Sequence, residues 1–194
     1  MIIGITGSSG SGKTTISSIL SERNDIYTIN ADEVARKLSV KGTDYLNSIV
    51  NCFGEKALLE NGNLNRTYLA EEIYNNDISR EKLNRLTFKY VVDEILKKIK
   101  EVKEKKFIII DAPLLFEAGL ENFCDYTISL ISDFETKIKR ICLRDKISKE
   151  TAIKRLKIQH DDNYYIEKSD FIINNTKDCD LKLEIEKIFE KIEG

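Results

Sequence analysis

Five short apolar runs punctuate the chain, and a longer segment of mixed polarity follows each of them. The runs cover residues 1–6, 25–29, 107–111, 125–131 and 170–175. Continuous apolar runs of this length are typical of strands buried in a sheet. The segment after the first run places Ile16, Ile19 and Leu20 at helical spacing, and residues 180–192 repeat that pattern. This alternation predicts an α/β fold with three layers around a mostly parallel five-stranded sheet.

The stretch between the second and third predicted strands is too long for a simple helical crossover. Residues 43–103 show helical spacing throughout, punctuated by Gly42-Thr43 and Asn61-Gly62-Asn63. We interpret the stretch as an inserted helical lobe that binds a substrate. Before it, Asn30 is followed three residues later by Glu33, a capping-box pattern that predicts a helix N-cap at Asn30.

A glycine-rich segment stands between the first strand and the first helix. It reads Gly7-Ser8-Ser9-Gly10-Ser11-Gly12-Lys13-Thr14 and matches the phosphate-binding pattern G-x-x-x-x-G-K-[ST]. The glycines allow a tight turn whose N–H groups face an oligophosphate, and the helix N-terminus adds partial positive charge. Lys13 would reach the β- and γ-phosphates, and the Thr14 hydroxyl would hold Mg²⁺. A flexible linker is the alternative, but a linker would not connect an apolar strand to an amphipathic helix.

Two carboxylates follow predicted strands and are candidates for catalysis. Asp32 lies just past the second strand, at the sheet rim where ligands bind in open α/β folds. It would accept the proton of a substrate hydroxyl, or it would only favour the helix dipole. Asp111 ends the third strand. It would hold Mg²⁺ directly or through water, or it would only cap the turn at Pro113, the single proline of the chain.

Two arginines, Arg140 and Arg144, are spaced four residues apart on the helix after the fourth strand. They share a helix face and would clamp the transferring phosphates or stack on a base; alternatively, they are exposed and bridge to nearby acids. A further helix at residues 149–159 and a polar, aromatic turn at residues 161–165 would form a mobile lid. His160 has no visible partner and is expected at the surface.

Composition narrows the class of protein. The chain has 194 residues with a net charge of −2, which gives no indication of a nucleic-acid or membrane surface. No apolar run approaches the roughly twenty residues that span a bilayer, and the first strand leaves no room for a signal peptide. The cysteines are scattered and a single histidine is present, so we expect reduced thiols and a cytoplasmic protein without a multi-histidine metal site.

Several strings, taken in order, resemble the dephospho-coenzyme A kinase family nearly from end to end. The matching strings are residues 7–15, Asn30-Ala31-Asp32-Glu33-Val34-Ala35-Arg36, Leu64-Asn65-Arg66, Asp111-Ala112-Pro113-Leu114-Leu115-Phe116-Glu117, Cys124-Asp125, Arg144-Asp145 with Arg155 and Gln159, and Asp170-Phe171-Ile172-Ile173-Asn174. The phosphate loop alone fits many functions, whereas the ordered set is specific. Two positions depart from the family pattern: Phe88-Lys89 stands where the family usually has His-Pro, and Asn30 replaces an Asp.

The resemblance implies a P-loop kinase that transfers the γ-phosphate of ATP, with Mg²⁺, to the ribose 3′-hydroxyl of dephospho-coenzyme A. It implies a single domain with a core at residues 1–30, 105–147 and 168–194, a helical acceptor lobe at 31–104 and a lid at 148–167. The implied catalytic residues are Lys13, Asp32 and Arg144. The implied ATP-binding residues are Ser9, Gly10, Ser11, Gly12, Lys13, Thr14, Thr15, Arg140 and Asn174. Asp32, Pro113, Leu115, Phe116 and Glu117 would bind the acceptor, and Thr14 and Asp111 the metal.

The expected partners are ATP and dephospho-coenzyme A, with no nucleic acid and no membrane, and we expect a monomer. A kinase of the same architecture acting on another nucleoside, nucleotide or small alcohol is the nearest alternative. A GTP-binding switch is a more distant one, because such proteins usually read guanine with an Asn-Lys-x-Asp motif and the sequence has none.

Overall fold

The computed structural model describes residues 1–102 and 104–194. The chain forms two compact units: Met1–Ile29 with Glu104–Gly194, here called the core unit, and Asn30–Lys103, the helical unit. The division into core, acceptor lobe and lid stays a prediction. Lys103, the last residue of the stretch predicted as helical, lies outside the described residues.

The predicted five-stranded sheet is confirmed, and it is parallel throughout. Its strands, in chain order, are β1 (Ile2–Thr6), β2 (Ile26–Asn30), β3 (Phe107–Asp111), β4 (Tyr126–Ile131) and β5 (Phe171–Asn174). The spatial order is β2-β3-β1-β4-β5. β1 is central, with Ile5 opposite Asp111 of β3 and Thr6 opposite Ser129 of β4. The carboxyl ends of these three strands therefore meet at one edge, where the loop after β1 begins.

α-Helices connect the strands except β3 and β4, which are joined by a segment that includes a 3-10 helix at Leu120–Phe123. In chain order the α-helices are α1 (Lys13–Ser21), α2 (Ala31–Leu38), α3 (Asp44–Phe53), α4 (Arg66–Asn75), α5 (Asp77–Glu101), α6 (Phe134–Asp145), α7 (Lys149–Lys157), α8 (Asp162–Lys168) and α9 (Leu181–Glu193). Among the residues described, none of these helices is both long and apolar enough to cross a membrane. α1 and α9 pack on the sheet through a cluster that includes Ile16, Leu20, Ile185 and Phe189.

The helical unit has its own small core. Tyr45, Leu46 and Ile49 of α3 are buried in it, and α5 closes it. Two hydroxyl contacts join these helices: Tyr45 to Thr87 at 2.9 Å and Ser48 to Tyr90 at 2.8 Å. α5 runs for 25 residues without interruption, since Phe88-Lys89 places no proline in its interior.

Two local predictions are wrong. Residues 43–103 are not helical throughout, because a 3-10 turn at Glu55–Ala57 and an antiparallel bridge between Leu58 and Leu64 separate α3 from α4. The turn predicted at residues 161–165 is instead the start of α8. The Asp161 side chain accepts a hydrogen bond from the Tyr164 N–H at 3.1 Å, and this N-cap starts a helix where polar composition suggested a loop.

Candidate active site

The glycine-rich segment at residues 7–14 forms the turn before α1 that the sequence predicts. Gly7, Gly10 and Gly12 have φ angles of 135°, 80° and 113°, in the region that disfavours residues with a Cβ atom. α1 begins at Lys13, and Gly12 occupies the N-cap without a side-chain hydrogen bond. The first amides of α1 thus have no side-chain cap and are available to an anion.

The loop is packed tightly against the surrounding core unit. A Cβ atom at Gly7 would lie 2.3 Å from the carbonyl oxygen of Leu130, and one at Gly10 would lie 2.7 Å from that of Lys137. Both distances are below van der Waals contact. The glycines are therefore required for close packing as well as for backbone conformation.

Two serine hydroxyls inside the loop indicate which kind of ligand the loop can bind. Ser8 and Ser11 are 2% and 0% exposed, and neither Oγ atom has a hydrogen-bond partner in the described part of the chain. Burying unsatisfied hydroxyls costs free energy. The Lys13 ammonium donates to the carbonyl oxygens of Gly7 and Ser8. The loop thus combines buried donors with a cation, the donor set that a phosphate chain requires.

Asp111 and Thr14 supply oxygen atoms suited to Mg²⁺. Asp111 is 5% exposed, and its Oδ2 atom accepts a hydrogen bond from Ser17 Oγ at 2.7 Å. Thr14 lies in the first turn of α1 and is exposed. Among the described residues, no group of three or more His, Cys, Asp or Glu side chains converges as a cation site. Carboxylate and hydroxyl oxygens in this setting fit a cation that takes most of its remaining ligands from phosphates and water.

The two arginines of α6 have different contacts. Arg140 donates through Nη1 to the carbonyl oxygen of Gly10 at 3.1 Å, and so it contacts the phosphate loop. Arg144 makes a two-point ion pair with Asp145, with distances of 2.7 and 2.9 Å. Asp145 is also bonded by Arg155 of α7. Arg140 therefore supports the loop directly, whereas Arg144 fits the alternative in which it bridges to a nearby acid.

Asn175 contacts the phosphate loop, and the sequence did not reveal this contact. Its Nδ2 atom donates to the Ser11 carbonyl oxygen at 2.7 Å, and its Oδ1 atom accepts from Arg140 at 3.3 Å. It is 4% exposed, whereas Asn174, predicted to bind ATP, is the exposed last residue of β5. The sequence offered two consecutive asparagines after a strand, and only the position of the strand end decides which one faces the loop.

Residues 159 and 160 each contact a different part of the core unit. Gln159 forms two hydrogen bonds with Ser9 of the phosphate loop, at 2.9 and 3.0 Å. His160 is exposed, as predicted, but it has partners that the sequence did not reveal. Its Nε2 atom lies 3.5 Å from Glu117 Oε1, and its ring stacks on Tyr164 with centroids 3.7 Å apart.

The string after β3 is only partly accessible. Leu115 is fully buried and Phe116 is 8% exposed. Leu115 packs on the bare Cα of Gly4, where a Cβ atom would lie 2.8 Å from its side chain. Burial raises the pKa of the Glu117 carboxyl, and Pro113 keeps partial exposure. Pro113 and Glu117 are thus the accessible members of the predicted acceptor set in this string, and Leu115 lies in the core.

Asp32 belongs to the helical unit, in the first turn of α2. The predicted cap is confirmed: Asn30 Oδ1 accepts a hydrogen bond from the Glu33 N–H at 2.9 Å. The Asp32 side chain is exposed and is not the capping group. Its carboxylate is therefore accessible to a ligand.

Comparisons of the sequence with known proteins show one family. The Dephospho-CoA kinase family matches residues 1–180. A Dephospho-CoA kinase from Fusobacterium nucleatum is 39% identical over 193 residues, covering 100% of this chain and 95% of that protein. The structure of the dephospho-CoA kinase from Campylobacter jejuni has a TM-score of 0.67 at 31% identity, covering 98% and 96% of the two chains. A crystal structure from Thermus thermophilus, 21% identical, has a TM-score of 0.83 over 100% and 98% of the chains and shares the fold.

Proposed function

Because this chain belongs to the dephospho-coenzyme A kinase family, we propose how its residues move the γ-phosphate of ATP to the ribose 3′-hydroxyl of dephospho-coenzyme A. The chain is an ATP-dependent kinase of that acceptor, and the reaction is the last step of coenzyme A biosynthesis. The observation that supports the residue assignment is the loop at residues 7–14, with its buried hydroxyls and uncapped helix N-terminus.

The phosphate loop binds the nucleotide. Amides between Gly10 and Thr15 donate to the phosphate chain, as does the buried hydroxyl of Ser11. The Lys13 ammonium, which contacts loop carbonyls, moves to the β- and γ-phosphates. Arg140 holds the Gly10 carbonyl and so keeps the amides aligned. Phosphoryl transfer asks for alignment and charge stabilisation more than for covalent chemistry from the protein.

Thr14 and Asp111 would hold Mg²⁺, with Asp111 kept in place by the Ser17 hydroxyl. When bound, the ion neutralises charge that develops on the β- and γ-phosphate oxygens. The low exposure of Asp111 keeps competing water from its carboxylate.

The acceptor is bound and activated by a separate set of residues. Asp32 orients the 3′-hydroxyl and accepts its proton. Arg144 leaves its ion pair with Asp145 to stabilise the transferring phosphoryl group. The lobe at residues 31–104, together with the string from Pro113 to Glu117, binds the acceptor. Residues 148–167 form the lid. We expect the chain to act in the cytoplasm and as a monomer. Light scattering on the purified protein would test the oligomeric state.

Product identification tests the function. The protein is incubated with ATP, Mg²⁺ and a panel of alcohols that includes dephospho-coenzyme A, nucleosides and nucleoside monophosphates. Coenzyme A phosphorylated at the 3′ position is the expected product, and a clear preference for a nucleoside monophosphate would contradict the assignment of the acceptor.

Asp32→Asn tests the proposed base. Turnover should fall by roughly 10²-fold or more, because proton transfer to a positioned base contributes about that much, while ATP affinity stays nearly unchanged. Glu33→Gln is the matched control, since Glu33 is the neighbouring exposed carboxylate of the same helical turn. Equal turnover of Asp32→Asn and the wild type would leave Asp32 with only a structural role.

A further inference from the structure

The two hydrogen bonds between Gln159 and Ser9 join residues 150 positions apart in the sequence. Gln159 follows the C-terminal end of α7, and Ser9 lies in the phosphate loop. The Ser9 N–H donates to Gln159 Oε1 at 2.9 Å, and Gln159 Nε2 donates to Ser9 Oγ at 3.0 Å. One carboxamide therefore fixes both the peptide and the hydroxyl of a single loop residue.

The chemistry of the four atoms determines the direction of both hydrogen bonds. A backbone N–H can only donate, so the carboxamide oxygen must face it. The carboxamide nitrogen, which also can only donate, then faces Ser9 Oγ. The Ser9 hydroxyl therefore accepts from Gln159, and its own proton is directed to a different acceptor. Ser9 is half-buried, so that proton is accessible to a ligand of the loop.

The position of Gln159 is itself fixed by packing. The Gln159 N–H donates to the Leu156 carbonyl oxygen at 3.1 Å, and the Leu156 side chain is buried with Ile138 and Ile141 of α6. One helical turn earlier, Arg155 is bonded to Asp145. The carboxamide is thus held by a backbone anchored to α6, which is what a preorganised donor requires.

We infer that the Ser9 hydroxyl donates to the phosphate chain of the nucleotide and that Gln159 is the positioning residue that directs this donor. The inference rests on the proposed function for the identity of the ligand as ATP. The Ser9 amide bonds Gln159, so Ser9 contributes through its side chain. A carboxylate at position 159 would take both protons of Ser9 and add a negative charge beside the phosphates.

The test compares Ser9→Ala, Gln159→Ala, the double variant and Gln159→Glu. Affinity for ATP and for ADP is measured by calorimetry with Mg²⁺ and without acceptor, so an error in the acceptor assignment leaves the result unaffected. Each alanine variant should weaken ATP binding about tenfold, since it removes a hydrogen bond to a charged group or the group that directs it. The double variant should bind about as weakly as Ser9→Ala, because Gln159 acts through Ser9.

Gln159→Glu keeps nearly the shape of glutamine and still accepts the Ser9 N–H, but its carboxylate also takes the Ser9 hydroxyl proton and adds a charge beside the phosphates. It should therefore bind ATP more weakly than Gln159→Ala, with a larger loss for ATP than for ADP. Because the added charge would weaken binding in either role, the comparison of Ser9→Ala with the double variant separates positioning from a merely structural role.

Two exposed residues outside the proposed site provide matched controls: Ser18→Ala on α1 and Glu186→Ala on α9 should bind ATP as the wild type does. Melting temperatures of all variants are measured alongside. Ser9→Ala removes a single oxygen atom and gives a decisive result even if the variants at position 159 lose stability. Unchanged ATP affinity of Ser9→Ala, multiplicative losses in the double variant, or tighter binding by Gln159→Glu than by Gln159→Ala would each overturn the inference.

Discussion

Gly12 is the loop residue at which an added methyl group meets the nearest obstacle. A Cβ atom there would lie 2.2 Å from Asn175 Nδ2, and the φ angle of 113° disfavours any side chain. Gly12→Ala must therefore displace Asn175 from the Ser11 carbonyl, to which it donates at 2.7 Å. We expect a loss of about 2–4 kcal/mol in the free energy of unfolding, from strain and overpacking together, and a loss of measurable ATP binding.

Gly42→Ala is the control for backbone strain alone. Gly42 also has a positive φ angle, 89°, but no atom of the described residues lies within 4 Å of the Cβ position. It should lose only about 1 kcal/mol in urea unfolding and retain full ATP affinity by calorimetry. Equal effects of the two substitutions would show that the contact with Asn175 does not matter.

Single residues also show where sequence analysis reaches its limit. The motif identifies Gly12, Lys13 and Thr14 because phosphate binding restricts residue type at fixed spacing. Asn175 and Gln159 contact the same loop, but they come from segments far away in sequence. No local pattern distinguishes Asn175 from Asn174, since their roles depend on the tertiary position of the end of β5.

At the scale of elements, continuous apolar runs predicted the strands to within one residue at each end, since burial on both faces leaves a strong signal. The lone error in element type near the site was α8. Its start depends on Asp161 as a capping residue, and its aromatic residues pack on the core unit, with Tyr165 2% exposed. The polar composition of residues 161–165 suggested a loop and gave no indication of the helix cap or of the buried tyrosine.

Asp145 at the end of α6 is bonded by Arg155 of α7, and this contact makes the stability of the folded state depend on pH. The hydrogen bonds from Arg144, and then the bonds and charge of Arg155, lower the pKa of its carboxyl from 3.8 to about 2. A carboxyl with a lowered pKa stabilises the folded state fully above its unfolded pKa, and this contribution is lost as the pH falls through the folded value. Asp145→Asn should therefore cost about 1 kcal/mol at neutral pH, given the partial exposure of the pairs.

Urea unfolding of the wild type and Asp145→Asn between pH 7 and pH 2.5 measures this effect. The difference in unfolding free energy should be constant above pH 4 and shrink as the pH approaches 2. Glu135→Gln is the control, because the pair of Glu135 with Lys149 at 3.3 Å is well exposed and should contribute little at any pH. A difference for Asp145→Asn that does not change with pH would show that its effect is not electrostatic.

At the scale of the whole molecule, the order strand, loop, helix and then a long helical stretch predicted a parallel sheet with an inserted lobe. The observed strand order confirms the sheet. It could be predicted because the connections between parallel strands follow general rules. The chain also forms two compact units with separate hydrophobic clusters. The roles of these units in binding stay predictions, since each cluster shows what stabilises its unit and not which ligand the unit binds.

Hydrogen exchange with each ligand in turn tests whether the two units bind different substrates. A nonhydrolysable ATP analogue should protect amides of the core unit, around residues 7–15, and dephospho-coenzyme A should protect amides within residues 31–102. At a ligand concentration 100 times the dissociation constant, binding stabilises the folded state by about 2.7 kcal/mol, which slows exchange through opening of the site roughly 100-fold. Lys13→Ala should abolish the first pattern and leave the second unchanged, because Lys13 belongs to the phosphate loop of the core unit, where its ammonium donates to the carbonyl oxygens of Gly7 and Ser8. Protection by dephospho-coenzyme A confined to the core unit would refute the acceptor lobe while leaving the phosphate loop assignment intact.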